Sequence, residues 1–396
     1  MTYFDVERAR RETPGCERVL HFNNAGASLM PEPVRLGMIG YLNREAEFGP
    51  VETAESDEDS VLRPYRALAD MLSCDQEEIA LTENATGAWA MAFHALRFQP
   101  GDRILTGYSE YGNNHLAMQQ ARQRYGVCIE PIPDDEFGQV SVAALGGMLD
   151  ERVKLIAITH VPTDGGLVNP AAAVGKVARE AGILYLLDAC QSVGQMPLDV
   201  RELRCDMLAA TGRKYLRAPR GTGFLYVRRE LITAMEPPII DYYGAAEVNA
   251  DAFRLRDDAR RFETYESNYA GRAGLGIAVE YALEWGLEAI RQRITHLAET
   301  LRIRLSQILG VTVRDLGRER CGIVTFTTVT MPPDAVRRRL LEDGINVKMS
   351  TRESSFLDMD RRGLPAVVRA SLHYFNTDEE IDRFCNTLIS YFRSAN

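Results

Sequence analysis

One lysine stands in a setting that suits nucleophilic chemistry. Lys214 lies in CDMLAATGRKYLRAPRGTGFLYV (205–227), which predicts a strand, a turn rich in Gly, Pro and Arg, and a returning strand. The turn also holds Arg213, Arg217 and Arg220, and nearby cations favour the neutral amine by lowering the lysine pKa. Lys214 is therefore a candidate for forming an imine with a carbonyl. The alternative is a surface lysine in a basic loop that binds an anion.

An acidic residue follows a second buried strand upstream. Ile183 to Leu187 form a continuous apolar run, typical of a strand buried on both faces, and Asp188 stands at its carboxyl end. A buried acid needs a cation or a proton as its partner, and a protonated pyridine nitrogen is one such partner. The alternative is that Asp188 caps a following helix. This interpretation is less favoured, because Asp188 and Lys214 together are typical of a reactive site.

These motifs resemble those of the class V aminotransferase and cysteine desulfurase family, which are fold-type I pyridoxal 5'-phosphate (PLP) enzymes. The resemblance runs from HFNNAGASLMPEPV to VVRASLHYFNTDEEIDRF, with the motifs in the family's order and spacing. It implies an α/β fold, with a mostly parallel seven-stranded sheet between helices and a smaller α+β C-terminal domain. Residues 20–270 would form the large PLP-binding domain, and residues 1–19 with 271–396 the small one.

The resemblance also implies which residues bind the cofactor. A lysine in a Ser/Thr-Gly-His/Arg-Lys turn carries it, which gives that role to Lys214. The strand-end Asp-x-x-Gln implies that Asp188 meets the pyridine nitrogen and that Gln191 contacts the ring hydroxyl. In DRILTGYSEYGNNHLAM, Tyr111 follows Glu110 where desulfurases typically carry histidine, so Tyr111 is the predicted stacking ring and a proton donor. The alternative for Tyr111 is plain packing.

The phosphate of PLP is predicted to lie at two turns. EIALT predicts a strand and ENATGAW opens a helix, so the N–H groups at Ala85 and Thr86 face outward at a positive helix terminus. Thr86 as a simple N-cap is the alternative. The resemblance implies that Thr211 and Arg213 complete this site from the other side.

Two segments are predicted to bind the substrate. VVRASLHYFNT implies that Arg369 pairs with the α-carboxylate through two parallel hydrogen bonds. HFNNAGASLMP suits a loop close to a ligand, and the family's use of it points to Asn24, Ala25 and Ala27. The alternative is a turn in which the asparagines bond their own backbone. The role of Thr163, where the family often has asparagine, stays open.

The loop before Arg369 favours one chemistry over the others. Desulfurases carry there the cysteine that takes up sulfur, whereas TRESSFLD has Ser354 and Ser355. We therefore expect a carbon–sulfur lyase that removes the α-proton and eliminates a sulfur group from an S-substituted cysteine. Class V transamination or epimerisation is the alternative, a desulfurase is less favoured, and a non-catalytic PLP-binding protein least. Candidates for contacting the distal part of the substrate are Arg217, Arg220, Arg352 and His373.

Composition narrows the remaining possibilities. The 396 residues are 45% hydrophobic and 26% charged, as in an ordinary globular protein, and the net charge of -10 argues against nucleic acid as a partner. No apolar run has the length of a membrane span, so a cytoplasmic enzyme is expected. The seven cysteines lack metal-ligand spacing, which predicts reduced thiols and no metal site. The resemblance implies a homodimer, although Glu266 does not fit a contact with the neighbouring subunit's phosphate.

Two helical predictions accompany these assignments. Residues 35–72 read as helices interrupted by an acidic run, Glu52 to Asp59, which we interpret as a solvated loop. After Gly271, LGIAVEYALEWGLEAIRQRITHLAETLRIRLSQIL predicts one long helical stretch that leads into the small domain.

Overall fold

The structure is a computed structural model that describes residues 4–393. Its strands pair into one large sheet, one smaller sheet and two short ribbons. In chain order the strands are β1 (Leu20–His21), β2 (Ile79–Thr82), β3 (Arg103–Gly107), β4 (Cys128–Ile132), β5 (Val153–Thr159), β6 (Leu184–Asp188), β7 (Met207–Thr211), β8 (Gly223–Val227), β9 (Ala245–Asn249), β10 (Ala252–Leu255), β11 (Val311–Val313), β12 (Ile323–Thr328), β13 (Ile345–Asn346), β14 (Lys348–Thr351) and β15 (Ala366–Ser371).

Helices cover both faces of the large sheet and one face of the smaller sheet. In chain order they are α1 (Val6–Arg11), α2 (Glu32–Phe48), α3 (Pro50–Ser56), α4 (Glu58–Leu72), α5 (Ala85–His94), α6 (Gly112–Tyr125), α7 (Val142–Met148), α8 (Ala171–Ala181), α9 (Val200–Leu203), α10 (Arg229–Ile232), α11 (Tyr269–Trp285), α12 (Leu287–Ser306), α13 (Pro333–Glu342), α14 (Phe356–Arg361) and α15 (Asp378–Arg393).

The large sheet has seven strands in the order β2-β8-β7-β6-β5-β3-β4. Strands β3 to β7 run parallel, and β8 runs antiparallel to both of its neighbours, β7 and β2. The predicted mostly parallel sheet is confirmed. Its parallel strands end at one edge, so the residues that follow β3, β5, β6 and β7 meet there.

The smaller sheet has the order β11-β12-β15-β14 and packs against α12, α13 and α15. Strand β1 pairs in parallel with β13, and Leu20 and Phe22 pack in the same apolar core as β12 and β15. We keep the two-domain division as a proposal in which the segment 20–22 packs with the C-terminal part. Residues 1–3 of the predicted N-terminal segment lie outside the described residues.

The predicted acidic loop is wrong. Residues 50–56 form α3, which begins with Pro50, and Asp57 caps α4 by accepting a hydrogen bond from the N–H of Ser60 at 3.2 Å. The carboxylates are mostly exposed, as expected for an acidic run, but the backbone is helical. Proline at the first helical position and an aspartate cap were the overlooked signals.

The long stretch after Gly271 is two helices instead of one. Gly286 adopts φ +79°, a left-handed conformation that favours glycine, and it separates α11 from α12. Helix α11 packs against α2 and α4 in the large part, whereas α12 packs on the smaller sheet. Among residues 4–393, no helix has the length and apolar character that a membrane crossing requires.

Candidate active site

The lysine turn lies at the carboxyl edge of the large sheet. Strand β7 ends at Thr211, and the turn that follows carries Lys214, which is only 7% exposed. A buried lysine at a sheet edge is not the surface lysine of the alternative interpretation. The Nζ atom of Lys214 lies 5.8 Å from the centroid of the Tyr111 ring.

Burial lowers the pKa of Lys214 and is the largest cause of this change. Arg213 and Arg369 lower it further, while Cys190 and Asp188 oppose them. The expected direction is therefore observed, but the predicted cause is only partly right. Of the three arginines of the turn, only Arg213 is among the main influences on the pKa of Lys214.

Asp188 ends β6 at the same edge and is held in a buried network. One carboxylate oxygen accepts a hydrogen bond from the Asn114 side-chain amide at 2.8 Å, and the other accepts from the N–H of Cys190 at 2.9 Å. Residues 189–199 contain no helix, so Asp188 does not act as a helix cap. Its orientation is fixed by a side chain of α6 and by a backbone N–H of its own turn.

A second acid, Glu110, shares the Asn114 amide with Asp188. Its Oε1 accepts hydrogen bonds from Asn114 at 2.8 Å and from the Thr159 hydroxyl at 2.7 Å. Its Oε2 lies 3.1 Å from the Thr106 hydroxyl. Burial raises the pKa of Glu110 to about 7, and the charge of Asp188 acts in the same direction. The sequence analysis did not identify Glu110 and Asn114 as site residues. The position of Glu110, shortly after the end of β3 at the carboxyl edge of the large sheet, could have indicated it.

Glu110→Gln should change how stability depends on pH. The pKa of Glu110 in the folded protein, about 7, lies above the ordinary 4.5, so the native state holds this proton more tightly than the unfolded chain does. The unfolding free energy of the wild type should therefore fall relative to the variant as pH rises from about 4.5 through about 7, by up to about 3 kcal/mol. Denaturant titrations at pH 5 and pH 8, after removal of any cofactor, measure this difference. An equal difference at both pH values would contradict the assignment.

The two predicted phosphate turns are adjacent. In the sheet register, Gly223 of β8 is paired with Thr82 on one side and with Thr211 on the other. Asn84 caps α5 by accepting from the N–H of Gly87 at 2.9 Å. The N–H groups of Ala85 and Thr86 belong to the first helical turn, where a helix supplies no acceptor.

Thr211 and Arg213 are already bonded to the protein. The Thr211 hydroxyl donates to the carbonyl of Thr222 at 3.2 Å, and the Arg213 guanidinium donates to the carbonyl of Gly26. Arg213 therefore ties the lysine turn to the N-terminal loop. Its predicted phosphate contact stays a prediction.

Gln191, Thr163 and Arg369 form a connected set. The Thr163 hydroxyl accepts from Arg369 at 2.6 Å and from the Gln191 amide at 3.2 Å. The Thr163 carbonyl also accepts from Arg369 at 3.1 Å. Gln191 Oε1 and Arg369 Nε are buried without a partner among the described residues. Thr163 thus fixes one side of the guanidinium and leaves the Nε side free.

The N-terminal loop borders this set through its backbone. Ala25 accepts from the Gln191 amide at 3.2 Å, and Ala27 accepts from the His21 ring at 2.9 Å. The Asn24 amide donates to the carbonyls of His21 and Ser371, and its oxygen accepts from Ser28. The Asn24 side chain therefore fixes the loop, as in the turn interpretation.

Cys190 also lies beside the lysine, which sequence reasoning missed. Its thiol is buried, interacts electrostatically with Lys214 and is hydrogen-bonded to Asp188. Burial raises the pKa of this thiol well above its ordinary value, so a nucleophilic thiolate is disfavoured. The Cys190 side chain therefore lines the site and is not expected to react.

Two of the four predicted distal contacts are wrong. Arg217 is buried and donates to Leu29 O at 2.9 Å, Tyr374 Oη at 2.5 Å and Thr13 Oγ1 at 2.6 Å. The His373 ring is buried against the Tyr215 carbonyl at 2.9 Å. Each guanidinium nitrogen of Arg217 and both ring nitrogens of His373 are engaged inside the protein, so neither side chain offers a free polar atom to a ligand. Arg220 is exposed, and Arg352 pairs with Asp360 at 2.5 Å.

The chemistry of these groups fits PLP. A buried acid, a buried lysine of lowered pKa and a helix N-terminus meet at one sheet edge, and Gln191 Oε1 is an orphaned acceptor beside them. These are a partner for a ring nitrogen, an amine for an aldehyde, N–H groups for a phosphate and an acceptor for a ring hydroxyl.

Comparisons with known proteins show the family to which the chain belongs. Residues 21–384 match the family described as aminotransferase class-V. A probable cysteine desulfurase from Methanothermobacter thermautotrophicus is 31% identical over 399 residues, which cover 98% of both chains. The apo cysteine desulfurase of Thermococcus onnurineus NA1 is similar in structure with a TM-score of 0.91 and 26% identity, over 100% of this chain and 99% of that one.

A further solved structure shares the fold. The cystine C–S lyase C-DES, in complex with cysteine persulfide, has a TM-score of 0.86 at 24% identity, over 95% of this chain and 99% of that one. The architecture is that of fold-type I PLP enzymes. Since the family match spans most of the sequence, this protein belongs to the class V aminotransferase family and is a PLP-dependent enzyme.

Proposed function

We propose that this enzyme is a carbon–sulfur lyase that catalyses β-elimination on an S-substituted, cysteine-derived amino acid. The observation that supports this most is the loop opposite Arg369. It presents Ser354, whose hydroxyl is bonded to Asp164 at 2.6 Å, and Ser355, and it contains no thiol. A serine hydroxyl does not form a persulfide, so sulfur would leave with its substituent instead of passing to the protein.

The side chains have separate tasks in this proposal. Bound PLP supplies an electron sink for the carbanion, held by Lys214, Asp188, Gln191 and the turn at Ala85 and Thr86. The Nε side of Arg369 binds the α-carboxylate. Lys214 would hold the cofactor until the substrate amine replaces it, and the released side chain would then take the α-proton, since its lowered pKa favours the neutral amine. The Cβ–S bond then breaks with its electron pair going to sulfur, and the remaining fragment hydrolyses to pyruvate and ammonia.

Tyr111 is suited to return a proton. Burial raises the pKa of its phenol, so the hydroxyl stays protonated and can donate to the leaving sulfur. Its backbone N–H is held by Glu110 and by the Thr159 hydroxyl, each at 3.1 Å. The ring therefore has a fixed position beside Lys214.

The second candidate function is that of a cysteine desulfurase. It is favoured by the relatives that carry this name. Against it, the thiol beside Lys214 is that of Cys190, whose raised pKa opposes sulfur uptake. Transamination and epimerisation use the same carbanion and differ in where the proton returns.

A spectrum and a product assay separate these functions. The visible absorption of the purified enzyme is recorded before and after addition of cysteine, cystine or S-methylcysteine, and pyruvate is assayed in the same tube. A lyase changes the spectrum and forms pyruvate in amounts equal to the substrate consumed. Alanine formed from cysteine indicates a desulfurase, and a spectral change without either product indicates transamination or epimerisation.

Arg369→Lys should lower kcat/KM by about 10²- to 10³-fold, because a lysine cannot form two parallel bonds to a carboxylate and a buried charge pair is costly to disrupt. The loss should appear mainly in KM for amino acids. Steady-state kinetics with the wild type in parallel measure it. The matched control is Arg293→Lys, since this partly buried arginine donates to the Asn376 carbonyl away from the site. Comparable losses in both variants would contradict a substrate role.

We also propose that two copies of the chain associate through an apolar face of α2. Leu36, Ile39 and Leu42 expose large apolar side chains on one side of this helix. Helix α11 packs against α2 and begins next to Ser267 and Asn268. These two residues line a cleft with Thr82 and Glu83, which precede the predicted phosphate turn. Helix α11 therefore connects the proposed interface to that turn. Light scattering after gel filtration should give twice the chain's mass, and Ile39→Glu with Leu42→Glu should halve it. An unchanged mass in the double variant would contradict this interface.

A further inference from the structure

A buried acid at the substrate side of the site has an incomplete set of partners. Asp164 is 4% exposed, and its Oδ2 accepts a hydrogen bond from the Ser354 hydroxyl at 2.6 Å. Its Oδ1 is buried without a hydrogen-bond partner among residues 4–393, although the Ser350 side chain acts on the carboxyl group in the same direction as Ser354 and lowers its pKa. Arg369 is the cation that most influences it electrostatically, but the Arg369 guanidinium is bonded to Thr163 instead. Burial raises the pKa of Asp164, as expected for a carboxyl group without a paired cation.

The position of Asp164 points to the substrate. It directly follows Thr163, which holds Arg369. Its partner Ser354 belongs to a loop that lies against the start of α6, since a Cβ on Gly112 would lie 2.1 Å from the carbonyl oxygen of Glu353. Gly112 is the residue after Tyr111. The contact between Asp164 and Ser354 therefore joins the Arg369 side of the site to the Tyr111 side.

The free-energy cost of an unpaired buried carboxylate indicates what kind of group could bind the free oxygen of Asp164. A buried acceptor without a donor is unfavourable, and more so when it is charged. A neutral alkyl group would leave that cost in place, and a second carboxylate would add repulsion. An ammonium group supplies both a hydrogen-bond donor and the missing positive charge.

We propose that Asp164, supported by Ser354, determines specificity by binding a cationic group, such as an ammonium, on the distal side chain of the substrate. This inference rests on the proposed lyase function. It does not involve Arg217 or His373, two of the predicted distal contacts, because both are used inside the protein.

Three substrates of equal length test this on the wild-type holoenzyme. They are S-(2-aminoethyl)-L-cysteine, S-propyl-L-cysteine and S-carboxymethyl-L-cysteine, whose chains extend three non-hydrogen atoms beyond sulfur and differ in the charge of the terminal group. The kcat/KM for pyruvate formation should be about tenfold higher for the cationic substrate than for the neutral one, and lowest for the anionic one. Equal values, or a preference for the anionic substrate, would overturn the proposal.

The variant Asp164→Asn should remove this selectivity. The ratio of kcat/KM for the cationic to the neutral substrate should fall about tenfold, towards one. The control is Asp358→Asn, since Asp358 is a nearby buried acid that already has a cation, Arg362 at 2.9 Å, and its ratio should match the wild type. An unchanged ratio in Asp164→Asn, or an equal fall in both variants, would overturn the role of Asp164.

Failure of the lyase proposal can be recognised separately. If none of the three compounds gives pyruvate, the concentration that produces half of the visible spectral change still ranks their affinities. Tighter binding of the cationic compound to the wild type, lost in Asp164→Asn, would support the inference without any turnover. Equal affinities would overturn it.

Discussion

Lys214→Ala should reduce kcat by about 10³- to 10⁴-fold, because the variant would lack both the amine proposed to bind the cofactor and the base proposed to take the α-proton. Burial at 7% exposure and a lowered pKa make this amine reactive, and the parallel strands place it next to Asp188. Borohydride reduction followed by mass spectrometry should find the cofactor on the peptide of Lys214 in the wild type and not in the variant. An added primary amine should restore part of the activity.

The matched control is Lys176→Ala. Lys176 lies exposed on α8, where it makes a long ion pair of 3.9 Å with Glu180, so its loss should leave kcat and the reduced adduct as in the wild type. If Lys214→Ala keeps more than a tenth of the activity, or if the adduct is found on another lysine, the assignment of Lys214 is wrong.

Asp188→Asn should lower kcat by about 10²- to 10³-fold, a loss of the size produced by removing one preorganised charged contact from a catalytic site. The variant keeps the size of the side chain, and its amide oxygen can still accept a hydrogen bond. What it loses is the negative charge that favours a proton on the ring nitrogen. The visible spectrum of bound PLP should therefore titrate at a lower pH than in the wild type.

A buried acid outside the site provides the comparison for Asp188. Asp206 is 5% exposed and pairs with Arg228 at 2.8 Å, before the start of β7. Asp206→Asn should lower the free energy of unfolding and leave kcat and the titration of the spectrum unchanged. If Asp188→Asn lowers stability alone, or if both variants lose kcat equally, Asp188 has a structural role and no catalytic one.

The sequence determined the sheet and the groups at its edge. Continuous apolar runs predicted β6, β7 and β8, because strands buried on both faces have no polar positions. Asp188 and Lys214 then had to meet, since parallel strands end at the same edge of a sheet. Two short-range signals are also present in the sequence: Pro50 at the start of a helix, and Gly286, which adopts a left-handed conformation between two helices. The pattern of the flanking residues made both signals easy to overlook.

Only the tertiary structure decided which hydrogen-bond partners the side chains from distant segments have. Asn114 donates to both Glu110 and Asp188, and Arg217 is used inside the protein although it stands in the lysine turn. Asp164 is left with a free oxygen beside a loop almost two hundred residues away, as its contact with Ser354 spans 190 positions. Burial and hydrogen-bond partners depend on packing between elements, which no local pattern encodes. The sequence therefore determined the cofactor chemistry, and the packing determined the charge presented to the substrate.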